Sequence, residues 1–161
     1  MRGYFFGNYY LSSIQQGIQA AHCTADMAMK YSSHRGEDLE SWQTYCDWAQ
    51  HHKTMVLLNG GNQASLNELA WFFNSVDNIF PWEQFFEDEQ SLNGCLTCVG
   101  IILPERIYEA AVLIRSRTTE ILKVKNEETD CVWISSTETE FTLSPWEYEL
   151  IQRMNQCGLA K

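Results

Sequence analysis

The residues best placed for chemistry lie between Ser12 and Asp26. Ser12 and Ser13 stand three residues before Gln15 and Gln16, the spacing of a helix-capping box. At about 100° per residue, Gln15, Gln19, His22 and Asp26 then share one flank of the helix that follows. A carboxylate four residues from an imidazole favours its charged form and draws its titration toward neutral pH. The same pair also reads as a local ion pair on a helix surface. Farther on, Glu87-Asp88-Glu89 gathers three carboxylates in a turn. Cys95-Leu96-Thr97-Cys98 has the spacing of a redox or zinc pair, but it opens an apolar run of strand character. Residues three apart on a strand point to opposite faces, and no second such pair follows, so no metal or cofactor is expected. Gly60-Gly61 lacks the Gly-Lys-Ser/Thr that completes a phosphate loop.

Periodicity supplies the elements that would hold these groups. Tyr4–Leu11 is aromatic-rich and predicts a buried first strand. Ile14, Ile18, Ala21 and Ala25 recur at helical spacing and predict the sheet-packing face of the first helix. Asp38–His52 predicts a second helix, with His51 and His52 favoured as cations at its end. Lys53–Leu58 predicts a central strand buried on both faces. Ser65 with Glu68 predicts a capping box opening a third helix over Leu66–Val76. Phe80–Glu87 and Cys95–Leu103 predict two further strands, and Pro104 opens a fourth helix. The order implies an α/β fold with a mixed sheet and helices on both faces, over residues 1–118. Residues 119–161 form an extension packed on the same domain, with strands at Ile121–Val124 and Cys131–Ile134 and a helix starting at Ser144-Pro145. Trp42, Trp71, Trp82 and Trp133 are expected in the core rather than as base-stacking platforms.

A chain of 161 residues with 45% hydrophobic content can bury a sizeable core. No run reaches the length of a membrane span, residues 1–11 show no basic leader, and six cysteines without an export signal read as reduced thiols; a cytoplasmic location is expected. The net charge of −10 opposes polyanion binding, which depends on Lys and Arg displacing counterions. It favours a basic protein partner instead, and a second copy of the chain is a further candidate. Arg106, Arg115, Arg117, Lys123 and Lys125 form a local basic cluster. It reads either as a phosphate contact or as a solvated helix end.

The order of elements and three short stretches resemble the type 2 peptidyl-tRNA hydrolase family. These are Gly17-Ile18-Gln19-Ala20-Ala21-His22-Cys23, Leu39-Glu40-Ser41-Trp42 ahead of Lys53–Leu58, and Leu96-Thr97-Cys98-Val99-Gly100-Ile101 running into Pro104. The resemblance covers about Gly3 to Arg117. It implies a three-layer α/β/α domain around a four-stranded mixed sheet, and cofactor-free hydrolysis of the ester joining a peptide to tRNA. It carries the family's aspartate onto Asp88 and its strand threonine onto Thr97, while Ser13 and Ile18 stand where the family has lysines. In such a site Asp88 would orient water, Thr97 would hydrogen-bond it, and Ser13 with the helix N-terminal amides would meet the developing negative charge. His22 is a further candidate, and Arg115, Arg117, Lys123 and Lys125 would contact phosphate. The alternative on the same fold is a catalytically silent module that binds a protein or a small ligand.

Overall fold

A computed structural model describes residues 1–33, 39–116, 120–125, 130–136 and 139–160. It is a mixed α/β protein whose contacts divide it into two compact units, Met1–Leu103 with Cys157–Lys161, and Pro104–Gln156. This division and a boundary at 118/119 differ by the helix that follows Pro104 and by the last five residues.

The first unit is built on strands β1 (Arg2–Gly7), β2 (Met55–Asn59), β3 (Trp82–Phe86) and β4 (Leu96–Leu103), in the order β2-β1-β4-β3. β1 runs parallel to β2, whereas β4 is antiparallel to both β1 and β3. Successive side chains of a strand point to opposite faces. Accordingly, Phe5 packs with Ala20, Cys23 and Met27 of helix α1 (Ser13–Ser33), while the Phe6 ring meets Phe73 of helix α3 (Gln63–Phe73) at 5.9 Å. Burying a side chain of that size contributes about 1.5–3 kcal/mol. Helix α2 (Leu39–Asp47) continues into a π-helical turn, Trp48–His52, whose Trp48 closes the Phe5 cluster. Gly60 is required after β2, because a Cβ there would fall 2.5 Å from Leu66 and 2.9 Å from Phe6. Residues Gly158–Ala160 close the outer edge of β2: Asn59 N donates to Gly158 O, and Ala160 N to Leu57 O. At the other edge the Trp82 carbonyl accepts from Lys30 and Tyr31, and the Trp82 N–H donates to the Tyr31 hydroxyl. Side chains or chain thus occupy both edges, which keeps them from pairing with strangers.

The second unit comprises helix α5 (Glu105–Arg115), the antiparallel strands β5 (Glu120–Lys125), β6 (Asp130–Ser135) and β7 (Glu140–Leu143), and helix α6 (Pro145–Gln156). A reciprocal capping box starts α6: Glu147 N donates to Ser144 Oγ, and Ser144 N to Glu147 Oε2. The other carboxylate oxygen pairs with Arg106 of α5. Among the described residues no helix is long and apolar enough to cross a membrane.

Several expectations are corrected here. The first strand ends at Gly7 rather than Leu11, because the Asn8 carboxamide accepts from Tyr10 N and folds the chain into a turn. Asn62, not Ser65, caps α3, accepting from Ser65 N at 3.0 Å. Trp71 is 80% exposed on the outer side of α3 instead of buried. Ile14, Ile18, Ala21 and Ala25 face solvent; Gln16, Gln19, Ala20, Cys23, Met27 and Tyr31 form the buried side. The helix is apolar on two opposite faces, so periodicity alone has two equivalent solutions, and the sheet takes the one that delivers Cys23 and Met27 to Phe5.

Candidate functional site

At one end of the first sheet, four polar features meet. β1 finishes at Gly7, and Asn8 N donates to the Thr97 carbonyl at 3.0 Å. Across β4 the register slips: Phe85 pairs with Cys98 and Phe86 with Leu96, so Thr97 is left over as a bulge. Bulges of this kind are frequent beside functional sites, where they redirect a side chain. Here the redirected group is the Thr97 hydroxyl, which donates to Phe85 O at 3.3 Å from a fully buried position.

Over that end lies the start of α1. The Ser12 Oγ accepts from Gln15 N, and the Gln15 carboxamide accepts from Ser12 N, which is the capping box expected from the sequence. One turn on, Gln16 Nε2 donates to Leu11 O at 2.9 Å, and Gln19 Nε2 donates to Glu87 Oε1 at 2.5 Å. Acceptors therefore fix the orientation of both amides. Their oxygens point the other way, into the protein, and neither has a hydrogen-bond partner among the described residues. The two side chains are only 4% and 5% exposed. A buried acceptor left unpaired costs about 1–3 kcal/mol, so such groups call for an ordered water or a donor from a ligand. Gly7 makes room for Gln16, since a Cβ at that strand end would sit 2.9 Å from the Gln16 Oε1.

The residues singled out from the sequence distribute as follows. Glu87 is tied to α1, whereas the adjacent Asp88 turns into its own chain and caps the short helix α4 (Glu89–Leu92), accepting from Ser91 N at 2.6 Å. Hydrogen bonds from the Ser91 backbone and then its side chain hold the Asp88 carboxyl below its ordinary value. His22 is exposed, its ring 4.7 Å from that of Phe85, and among the described residues it forms no ion pair with Asp26. Ser13 is the exposed first residue of α1. The structure thus brings α1 and the Glu87 turn together, with His22 beside Phe85 and Thr97 beneath, but directs Asp88 elsewhere. Sequence reasoning gave Gln16 only a capping place and Glu87 only a place in the acidic turn, and it passed over Asn8. The available signal was that Gln16 and Gln19 fall in phase with Cys23 and Met27.

Cys95 and Cys98 do not form a pair. Cys95 precedes β4 and its thiol reaches Gln63 Oε1 at 3.3 Å, while Cys98 is buried beside Cys23. The neighbouring Cys98 thiol, followed by burial, pushes the Cys23 thiol well up. Among the described residues no group of three His, Cys, Asp or Glu could hold a metal ion. Near the far end of α1, a cavity of about 280 Å³ is lined by Lys30, Tyr31, Asn74, Asn78 and Trp82. The Lys30 ammonium pairs with Glu83 at 3.3 Å and lies 4.6 Å from the centre of the Trp82 ring.

Of the basic cluster, Arg106 pairs with Glu147 and Arg115 Nε donates to Asn155 Oδ1 at 2.7 Å. Lys123 and Lys125 lie on β5 opposite Val132 and Asp130, and Arg117 lies outside the described residues. No model of a known protein family matches the chain, and no curated protein sequence is similar to it.

Proposed function

We propose that Met1–Leu103 with Cys157–Lys161 is a three-layer α/β/α domain of the type 2 peptidyl-tRNA hydrolase kind, acting in the cytoplasm as a binding module rather than as an esterase. The layering rests on Phe5 packing toward α1 and Phe6 toward α3. A reducing compartment fits six free thiols. The observation that carries the non-catalytic reading is that both family positions serve local structure, Thr97 in the sheet and Asp88 in a helix cap. The Thr97 hydroxyl donates to Phe85 O, and one oxygen of the Asp88 carboxylate accepts from Ser91 N. The Thr97 proton is thereby directed to a carbonyl rather than to a water, Asp88 is engaged in capping its own short helix, and Ser13 stands where the family's reactive lysine would be.

The partner that suits this domain is a basic protein segment. The chain carries a net charge of −10, and Asp88 and Glu89 are exposed in the turn that Glu87 anchors to α1. A fluorescent Lys/Arg-rich peptide should bind with an affinity that falls as salt rises, and more weakly to Asp88→Asn/Glu89→Gln. Peptidyl-tRNA incubated with the protein should stay intact. Absence of peptide binding at low salt sinks the proposal.

One observation favours the esterase instead: Gln19, in the second turn of α1, holds the Glu87 carboxylate, a group able to act as a base toward water. Deacylation of peptidyl-tRNA that disappears in Glu87→Gln would establish that reading. A salt-dependent tRNA affinity weakened by Arg115→Ala, Arg117→Ala, Lys123→Ala or Lys125→Ala would place phosphate on the second unit.

A further inference from the structure

We infer that Tyr9 and Tyr10 form an arginine-reading platform, so that the basic segment proposed above is recognised through its guanidinium groups and not by positive charge alone. The inference rests on that reading and names the cation it selects. Tyr9 and Tyr10 stack on each other with ring centres 4.1 Å apart, and Tyr10 is left 75% exposed. The backbone fixes the pair: Tyr9 N donates to Gly61 O at 2.9 Å, and Tyr10 N to the Asn8 carboxamide at 3.1 Å. A ring pair held in this way offers a face to a planar cation at little cost in ordering.

Charge at this end of the first sheet sets the occupant. Residues 8–16, 60–65 and 87–95 follow β1, β2 and β3, and they carry three carboxylates and no Lys, Arg or His. The cations stand at the other end. Arg2 opens β1, Lys53 precedes β2, and Lys30 donates to the carbonyl of Trp82, the first residue of β3. Aromatic rings set among carboxylates suit a cation and repel nucleic acid, whose phosphates need Lys or Arg to displace counterions.

Helix α1 joins the rings to the carboxylates. Gln16 Nε2 reaches Leu11 O on the tyrosine side, and Gln19 Nε2 reaches Glu87 on the acidic side. Residues three apart on a helix are neighbours, about 5–6 Å apart at Cβ. The two stretches also flank one strand, since Asn8 N donates to Thr97 O and Glu87 N to Cys95 O. Two strand spacings, about 10 Å, separate them. Gln16 and Gln19 each keep a buried oxygen with no partner among the described residues, and such acceptors favour an occupant rich in donors. Guanidinium carries donors only, lies flat on an aromatic face and pairs with carboxylates through parallel bonds. An ammonium supplies the charge without the flat face or the fork. Alternate side chains of an extended segment stand about 7 Å apart. Arginines so spaced can reach Tyr10 and the exposed Asp88 and Glu89 together.

Two fluorescent peptides of equal length and charge, one alternating Arg with Ser and the other Lys with Ser, titrated with the full chain, test this. The arginine peptide should bind about five- to tenfold more tightly. Tyr10→Leu should bring that ratio within about twofold, leaving the lysine peptide's affinity and the far-UV circular dichroism unchanged. Tyr10→Trp should keep or raise the ratio, since indole is the stronger partner for a cation. Equal affinity for the two peptides, or an arginine preference that survives Tyr10→Leu, overturns this inference and leaves the basic-segment reading standing. Failure of both peptides to bind overturns the two together.

Discussion

Helix α1 crosses two environments on its inner side. Over the middle of the sheet it presents Ala20, Cys23, Met27 and Tyr31 to Phe5, Cys98 and Ile102, a dry cluster in which every member is buried. Over the sheet end it presents Gln16 and Gln19, equally buried, each with an oxygen that no described residue satisfies. The depth is the same and the chemistry is opposite. The first stretch contributes free energy of folding. The second gives some up to hold a carboxylate and two acceptors in place, as functional sites commonly do.

That contrast can be broken by measurement. Phe5→Ala should cost about 3–5 kcal/mol in urea unfolding, the range for emptying an aromatic side chain from a packed core. Ser12→Ala, which removes the α1 capping box at the polar end, should cost about 1 kcal/mol. Gln16→Met should change stability by less than about 1 kcal/mol and upward, because a neutral hydrogen bond is exchanged for relief of an unpaired acceptor. A large loss there would mean that the Gln16 oxygen has a partner after all, and the two stretches would no longer differ in kind. The smallest effect belongs to Asp88. Its carboxyl lies below the ordinary value when folded, so the folded state binds its proton less readily than the unfolded one. Its contribution is complete at neutral pH and is lost as pH falls below about 4 and through the folded value. The amide of Ser91, followed by NMR, should report that loss, and Asp88→Asn should abolish it.

Much of the scaffold was legible because it is local. Ser12 with Gln15 and Ser144 with Glu147 declare helix starts through groups three residues apart, and both boxes are present. The apolar run into Leu103 could only be a buried strand, and β4 is buried at every position. What was not legible depends on partners distant in the chain. The inward face of α1 is chosen by Phe5 and Cys98, not by α1 itself. The Thr97 bulge is set by how Phe85 and Phe86 pair across β4. Asp88 and Glu87 are neighbours with similar side chains, and only the position of Gln19 decides which carboxylate is tied to the helix. Strand β7, Glu140–Leu143, escaped because four residues give too short a period to recognise.

The hydrogen bonds from Asn59 N to Gly158 O and from Ala160 N to Leu57 O bear on how the polypeptide matures. A nascent chain can collapse around Phe5 and Phe6 early, yet the outer margin of its sheet waits until about a hundred more amino acids have been translated, the whole of Pro104–Gln156 among them. Contacts so far apart in sequence form slowly. During that interval β2 offers an unpaired flank to any neighbouring polypeptide, the exposure that favours misassembly and engages chaperones.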